Sequence, residues 1–242
     1  MIPTDRRKRR FEAREHLILD NAETIFGRSG YLGLNLDELA EAVAYSKATL
    51  YNHFASKEDL LAAIAVRRLE ERARMFRRAL AFAGRHRERM CCVGLADELL
   101  RRKTPHIFAL MQMVRSPSLW EKAKPETRER YETHGTACFR VLAEIVREAK
   151  ADGELPADES KLPTMQVVSG LAAISLGSFL LDQKDSLFRV GAGGESPSPV
   201  DLLPAQYDAY LDGLDWPPLG SEWDYAATRE RARAFLAETA PE

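Results

Sequence analysis

The chain predicts an all-α fold, with an N-terminal three-helix helix-turn-helix domain followed by a C-terminal helical bundle. Three observations carry this expectation. Apolar residues recur at helical spacing along most of the 242 residues. No stretch keeps the strict alternation of a half-buried strand. Helix start and stop signals follow one another at short intervals in the N-terminal third.

The elements follow in order. Leu17, Ile18, Ala22, Ile25 and Phe26 give one apolar face to a first helix over about 11–28, and Ser29-Gly30 ends it. Asn35 and Glu38 stand at the N-cap and N3 positions of a capping box, with Leu36, Leu39, Ala40 and Val43 on the buried side of a second helix. Ala44-Tyr45 makes a turn, and Ser46 caps a third helix that runs to about Phe54. Ser56-Lys57-Glu58-Asp59 opens a fourth helix with a serine cap and two carboxylates at the positive end of its dipole; Leu60, Leu61, Ile64 and Leu69 face inward. Further helices are expected near 90–102, 104–115, 124–151, 161–184, 202–213 and 223–239, with a loop over 191–199 and a break at 215–220.

Composition narrows the class. A chain that is 45% hydrophobic and 30% charged, with a net charge of −2, buries a core and is not disordered. Three cysteines, Cys91, Cys92 and Cys138, form neither a disulfide framework nor a metal-ligand spacing, which fits a reducing cytoplasm. They are read as buried small residues, with oxidant sensing as the alternative. The near-neutral total hides an asymmetry. Residues 1–89 hold 18 Lys/Arg against 13 Asp/Glu, and residues 90–242 hold 17 against 24. The N-terminal part is therefore the one suited to a polyanion. Leu162–Leu181 lacks charge and is long enough to span a bilayer, but Pro163, Thr164, Gln166 and three serines dilute it. It is read as a buried helix, with no membrane partner.

The third helix, Ser46 to His53, is about 12 Å long, comparable to the width of a DNA major groove. Leu50 faces inward with Phe54, leaving Lys47, Ala48, Thr49, Tyr51, Asn52 and His53 outward or lateral. A lysine donates to guanine O6 and N7, alanine and threonine methyls touch a thymine methyl, and tyrosine and histidine donate to phosphates. Lys57 sits at the start of the next helix, where the dipole already attracts a phosphate.

At this point the sequence resembles a known family. Phe26-Gly27-Arg28-Ser29-Gly30-Tyr31, Leu36-Asp37-Glu38-Leu39-Ala40, Ser46-Lys47-Ala48-Thr49-Leu50-Tyr51-Asn52-His53-Phe54 and Ser56-Lys57-Glu58-Asp59-Leu60-Leu61 are similar to the DNA-binding domain of TetR-type transcriptional regulators. The likeness covers about residues 12–72. It implies a homodimer, a repressor that binds a palindromic double-stranded DNA operator, and a helical C-terminal domain that releases DNA on binding an unidentified small-molecule effector. It also implies that Tyr51, His53 and Lys57 contact phosphates and that Lys47, Ala48 and Thr49 face the bases. Asn35, Ser46 and Asn52 complete the expected DNA-binding set. Two departures stand out. The family's Gly-Val turn is Ala44-Tyr45 here, and its paired threonines before the second helix are Leu34-Asn35. If the turn needs a positive φ, alanine is strained there by about 1 kcal/mol.

The expected organisation is a basic flexible arm over 1–11, the TetR-type domain over 12–72 with its helix-turn-helix at 35–54, and a ligand-binding and dimerisation domain over 73–242. The Arg6–Arg10 run reads either as a solvated tail or as an arm entering the minor groove. Arg67, Arg68, Arg72, Arg74, Arg77 and Arg78 read mostly as a solvated face paired with Glu70 and Glu71. Gly170, Ala173 and Gly177 with Val167, Leu171, Ile174 and Leu181 form a candidate dimer helix, or else pack within one chain. His106, Phe108, Met111, Trp120, Tyr131, His134 and Phe139 are a candidate pocket set, though such stripes more often form core. No nucleophile elbow, phosphate loop or dinucleotide fingerprint occurs, so neither enzyme activity, metal nor cofactor is expected. A helical ligand-binding or interaction protein of the same fold, without specific DNA binding, is the alternative.

Overall fold

The computed structural model describes residues 3–182 and 197–238, and among these every regular element is a helix. In chain order they are α1 (Pro3–Gly33), α2 (Leu36–Ala42), α3 (Lys47–His53), α4 (Lys57–Leu80), α5 (His86–Lys103), α6 (Pro105–Met113), α7 (Pro117–Trp120), α8 (Pro125–Ala151), α9 (Thr164–Leu181), α10 (Leu203–Asp212) and α11 (Tyr225–Ala237). The expected loop at 191–199 lies outside the described residues as far as position 196.

The chain forms two compact units. One comprises Met1–Glu71 and Thr104–Gly135; the other comprises Arg72–Lys103 and Thr136–Glu242. The first is larger than the expected 12–72 domain because residues 104–135 join it. Ile107, Leu110, Val114 and Leu119 are buried in one cluster with Ile18, Ile25, Leu39, Leu61 and Ile64. The apolar face of α1 differs slightly from expectation: Leu19 is buried, whereas Leu17 is 42% exposed.

Two local differences have physical reasons. The sequence reading starts the first helix at Phe11, but α1 runs from Pro3, so the basic segment 3–11 is its first turns and not a separate arm. Only Pro3 opposes a helix there, and proline is tolerated in a first turn. The capping box at α2 is half made. Asn35 Oδ1 accepts from the Asp37 amide at 2.8 Å, but Glu38 turns away to pair with Arg28.

The second unit has its own core, in which Phe76, Val93, Ile145, Val146, Val167, Leu171 and Trp216 are buried together. α5 packs along α11, and α9 along α10. By length and composition α9 could cross a membrane, yet Val167, Val168, Leu171 and Phe179 bury one side of it. Its opposite side presents Met165 and Leu180, 56% and 54% exposed. Gly170 does make a close approach possible, but within the chain: a Cβ there would lie 2.1 Å from Tyr210 Oη of α10. Tyr210 donates to the Gln166 carbonyl at 2.9 Å.

Candidate nucleic-acid interface

The helix-turn-helix is built on a turn that its sequence makes costly. Tyr45 N–H donates to the Ala40 carbonyl at 3.0 Å, closing a Schellman-type end on α2. The residue between must be left-handed, and Ala44 has φ 54. The strain foreseen for alanine is therefore present. Tyr45 is half-buried against the first unit's core, with the Arg14 guanidinium over its ring.

Ser46 Oγ caps α3 by accepting from the Thr49 amide at 3.2 Å, and Leu50 and Phe54 anchor the helix in the core. This leaves Ser46, Lys47, Ala48, Tyr51 and Asn52 exposed on one short element, with Thr49 partly covered. Ser46 and Asn35 are both engaged as caps. Lys47 Nζ is paired with Asp37 of α2. At the next helix, Ser56 Oγ accepts from the Asp59 amide at 2.9 Å, and Lys57 Nζ lies 4.3 Å from the centre of the Tyr31 ring. Asp59 is fully buried and ties this corner together, accepting from Ala55 N–H, Lys124 N–H and Thr127 Oγ.

His53 corrects the sequence reading. It is expected to stand outward or lateral, but it is 6% exposed, with the Phe11 ring stacked on it at 4.0 Å. Its Nδ1 has no partner, and burial holds its pKa below the ordinary value. The cause is packing distant in sequence: Phe11 of α1 covers the ring of His53 from α3.

Among the arginines of α4, Arg74 and Arg77 are exposed and Arg68 pairs with Glu71 at 2.7 Å, as expected, but Arg67 and Arg68 also turn inward. Arg67 and Arg68 converge on buried Glu23, which keeps a lowered pKa: burial opposes its charge, and hydrogen bonds from Arg68 and Arg67 outweigh that. His106 Nε2 approaches the same carboxylate at 3.4 Å, and His134 Nε2 lies 3.0 Å from Glu70. These are structural ion pairs inside the first unit and not a solvated face.

A cavity of about 60 Å³ opens in the second unit. Of the expected pocket residues only Phe139 lines it. Met111, Trp120 and Tyr131 pack instead against the first unit's core, and Phe108 is buried; the aromatic and methionine stripe is core. The actual wall includes Phe76, Met90, Leu142 and Leu171, together with Arg72, Asp97 and Ser175. Asp97 accepts from Arg72 Nε at 2.8 Å, Arg101 Nε at 3.1 Å and Ser175 Oγ at 2.8 Å. Burial would raise its pKa, but the charges of Arg101 and Arg72 hold it at about 2. No sequence motif marks this site, because its polar residues come from α4, α5 and α9. Burial pushes the Cys91 thiol to about 11 and Cys92 to about 12, and raises Cys138; buried thiols of this kind are weak nucleophiles.

Fold and site together define a helix-turn-helix protein with a separate helical unit. Residues 18–64 match the family of bacterial regulatory proteins, tetR family. The sequence match is thus confined to the N-terminal domain, and over most of its length the chain shares the fold of TetR-family structures. Over 43 residues it is 49% identical to the biofilm operon icaADBC HTH-type negative transcriptional regulator IcaR of Staphylococcus aureus. The match spans 18% of this chain and 23% of that protein, so the chain aligns with about a quarter of the length of such curated relatives. Among solved structures, the TetR family regulator PfmR from Thermus thermophilus is similar with a TM-score of 0.61 and 21% identity, over 81% of this chain and 98% of that one. The regulator FadR from Bacillus subtilis, solved in complex with stearoyl-CoA, gives 0.62 and 15%, over 82% and 98%.

Proposed function

We propose that this protein is a homodimeric, DNA-binding transcriptional regulator of the cytoplasm. In this reading it is a repressor that leaves a palindromic operator when a small molecule enters the second unit. The observation that carries the reading is α3. A capped, core-anchored helix of major-groove dimensions exposes Lys47, Ala48, Tyr51 and Asn52 while Leu50 and Phe54 hold it from below. Lys47, Ala48 and Thr49 then meet base edges. Tyr51 and Lys57 meet phosphates, with Asn35, Ser46 and Asn52 beside them. One short helix reads few base pairs, and a two-fold axis doubles the readout. The exposed side of α9 supplies a surface for that axis, with Met165, Ala173, Leu180 and Leu181 exposed and Leu176 and Gly177 partly covered.

The cavity supports an effector role. As it stands it is much smaller than the roughly 150 Å³ that holds a benzene molecule, so a long acyl chain such as FadR's stearoyl group requires the unit to open. Differential affinity for two arrangements would then shift the spacing of paired recognition helices away from the ~34 Å groove repeat.

Mobility shifts on genomic fragments, with sedimentation of the free protein, test the regulator reading. A few fragments bound tightly by a dimer, with affinity falling steeply with salt, are expected. Equal weak binding to all fragments favours a binding protein that keeps the fold without specific DNA recognition. The Lys47–Asp37 pair and the strained Ala44 turn are what speak for that second reading.

A further inference from the structure

The cavity's wall carries information about what enters it. Most of its charges are matched from within. Arg87 pairs with Asp212 at 2.7 Å, Arg229 with Asp208, and Glu98 with Arg102 at 2.8 Å. At the Asp97 corner one carboxylate accepts from Arg72, Arg101 and Ser175. Arg72 gives it only Nε and lies with its guanidinium 4.7 Å from the centre of the Phe76 ring. Among the described residues, the terminal amino groups of Arg72 have no hydrogen-bond partner. A guanidinium so placed offers two parallel N–H donors, a geometry that matches a carboxylate. Around it the wall is apolar: Phe76, Met90, Leu142 and Leu171 leave a tail little to do except bury itself.

We propose that the cavity binds a small monocarboxylate with a short apolar tail, its carboxylate held by the free end of Arg72. The proposal rests on the reading of this cavity as the effector site. Size limits the tail, since about 60 Å³ accommodates a few carbon atoms and not a long chain. Charge sets the head group. A cation at this corner meets the Arg72 guanidinium, and a neutral molecule offers its amino groups no charged acceptor.

Three small probes that share one tail test this on the full-length protein by titration calorimetry: propanoate, propan-1-ol and propan-1-amine. The acid is expected to bind about tenfold tighter than the alcohol, with the amine weakest. Arg72→Gln keeps a donor for Asp97 and is expected to erase the preference of acid over alcohol. Asp97→Asn removes the competing negative charge and is expected to enlarge that preference. A positioning role for these residues in the fold alone would weaken all probes together and leave the ratio unchanged. The proposal is overturned if no probe binds wild-type protein, if acid and alcohol bind equally, or if Arg72→Gln keeps the ratio. Retained sequence-specific DNA binding in any of those cases leaves the regulator reading standing. Tight acid binding that fails to release bound DNA supports the pocket assignment and counts against effector release.

Discussion

Ala44 concentrates the cost of the helix-turn-helix in one residue, since the Schellman-type end of α2 requires φ 54 where a Cβ is disfavoured. Ala44→Gly relieves that strain and gives back part of the gain as chain entropy, for a net stabilisation of about 0.5–1 kcal/mol by denaturant titration. His53 makes a pH-dependent contribution. Its pKa is lowered by burial in the folded state, so as pH falls the unfolded chain takes up the proton first. Stability is therefore lost as pH drops from about 7 towards 5. His53→Phe keeps a ring for Phe11 to stack on and should flatten that part of the curve of Tm against pH; an unchanged slope would place the titration elsewhere. Asp97, held at about 2 against an ordinary 3.8, contributes stability that persists above pH 4 and is lost only as pH falls through about 4 towards 2.

Among the elements, α9 carries the clearest prediction. Leu180→Lys places a charge on its exposed apolar side and should convert a dimer to monomers in sedimentation without altering the helical signal; a persistent dimer would assign the interface to another face. Gly170→Leu is unsuitable for that purpose, because the side chain would strike Tyr210 inside the chain and disturb the unit itself. The helices are legible from the sequence wherever local chemistry ends them. Asn35, Ser46 and Ser56 cap the elements that their positions predict, because capping acts over three residues. Destinations set by distant packing are not legible. Nothing local tells Phe11 to cover His53, sends Arg67 and Arg68 to Glu23, or puts Tyr210 over Gly170. The cavity escapes a sequence reading for the same reason, since Arg72, Asp97 and Ser175 are far apart in sequence and meet only through the packing of their helices.

For the molecule as a unit, the net charge of −2 says little about DNA, because it sums a basic N-terminal part and an acidic remainder. Lys47 is held by Asp37 at the start of α2, an exposed pair worth at most about 1 kcal/mol. It can therefore exchange that carboxylate for a base edge, and Asp37→Asn should tighten DNA binding by a few-fold. Sequence recognition by α3, as one of a symmetric pair, is decided by selecting bound duplexes from a random pool with wild-type protein and with Lys47→Ala. The expected result is an inverted repeat with half-sites centred about one helical turn or a multiple of it apart, and loss of base preference at the same position of each half-site in the variant. A pool that stays random, or a repeat whose base preferences are untouched by Lys47→Ala, would contradict recognition by α3.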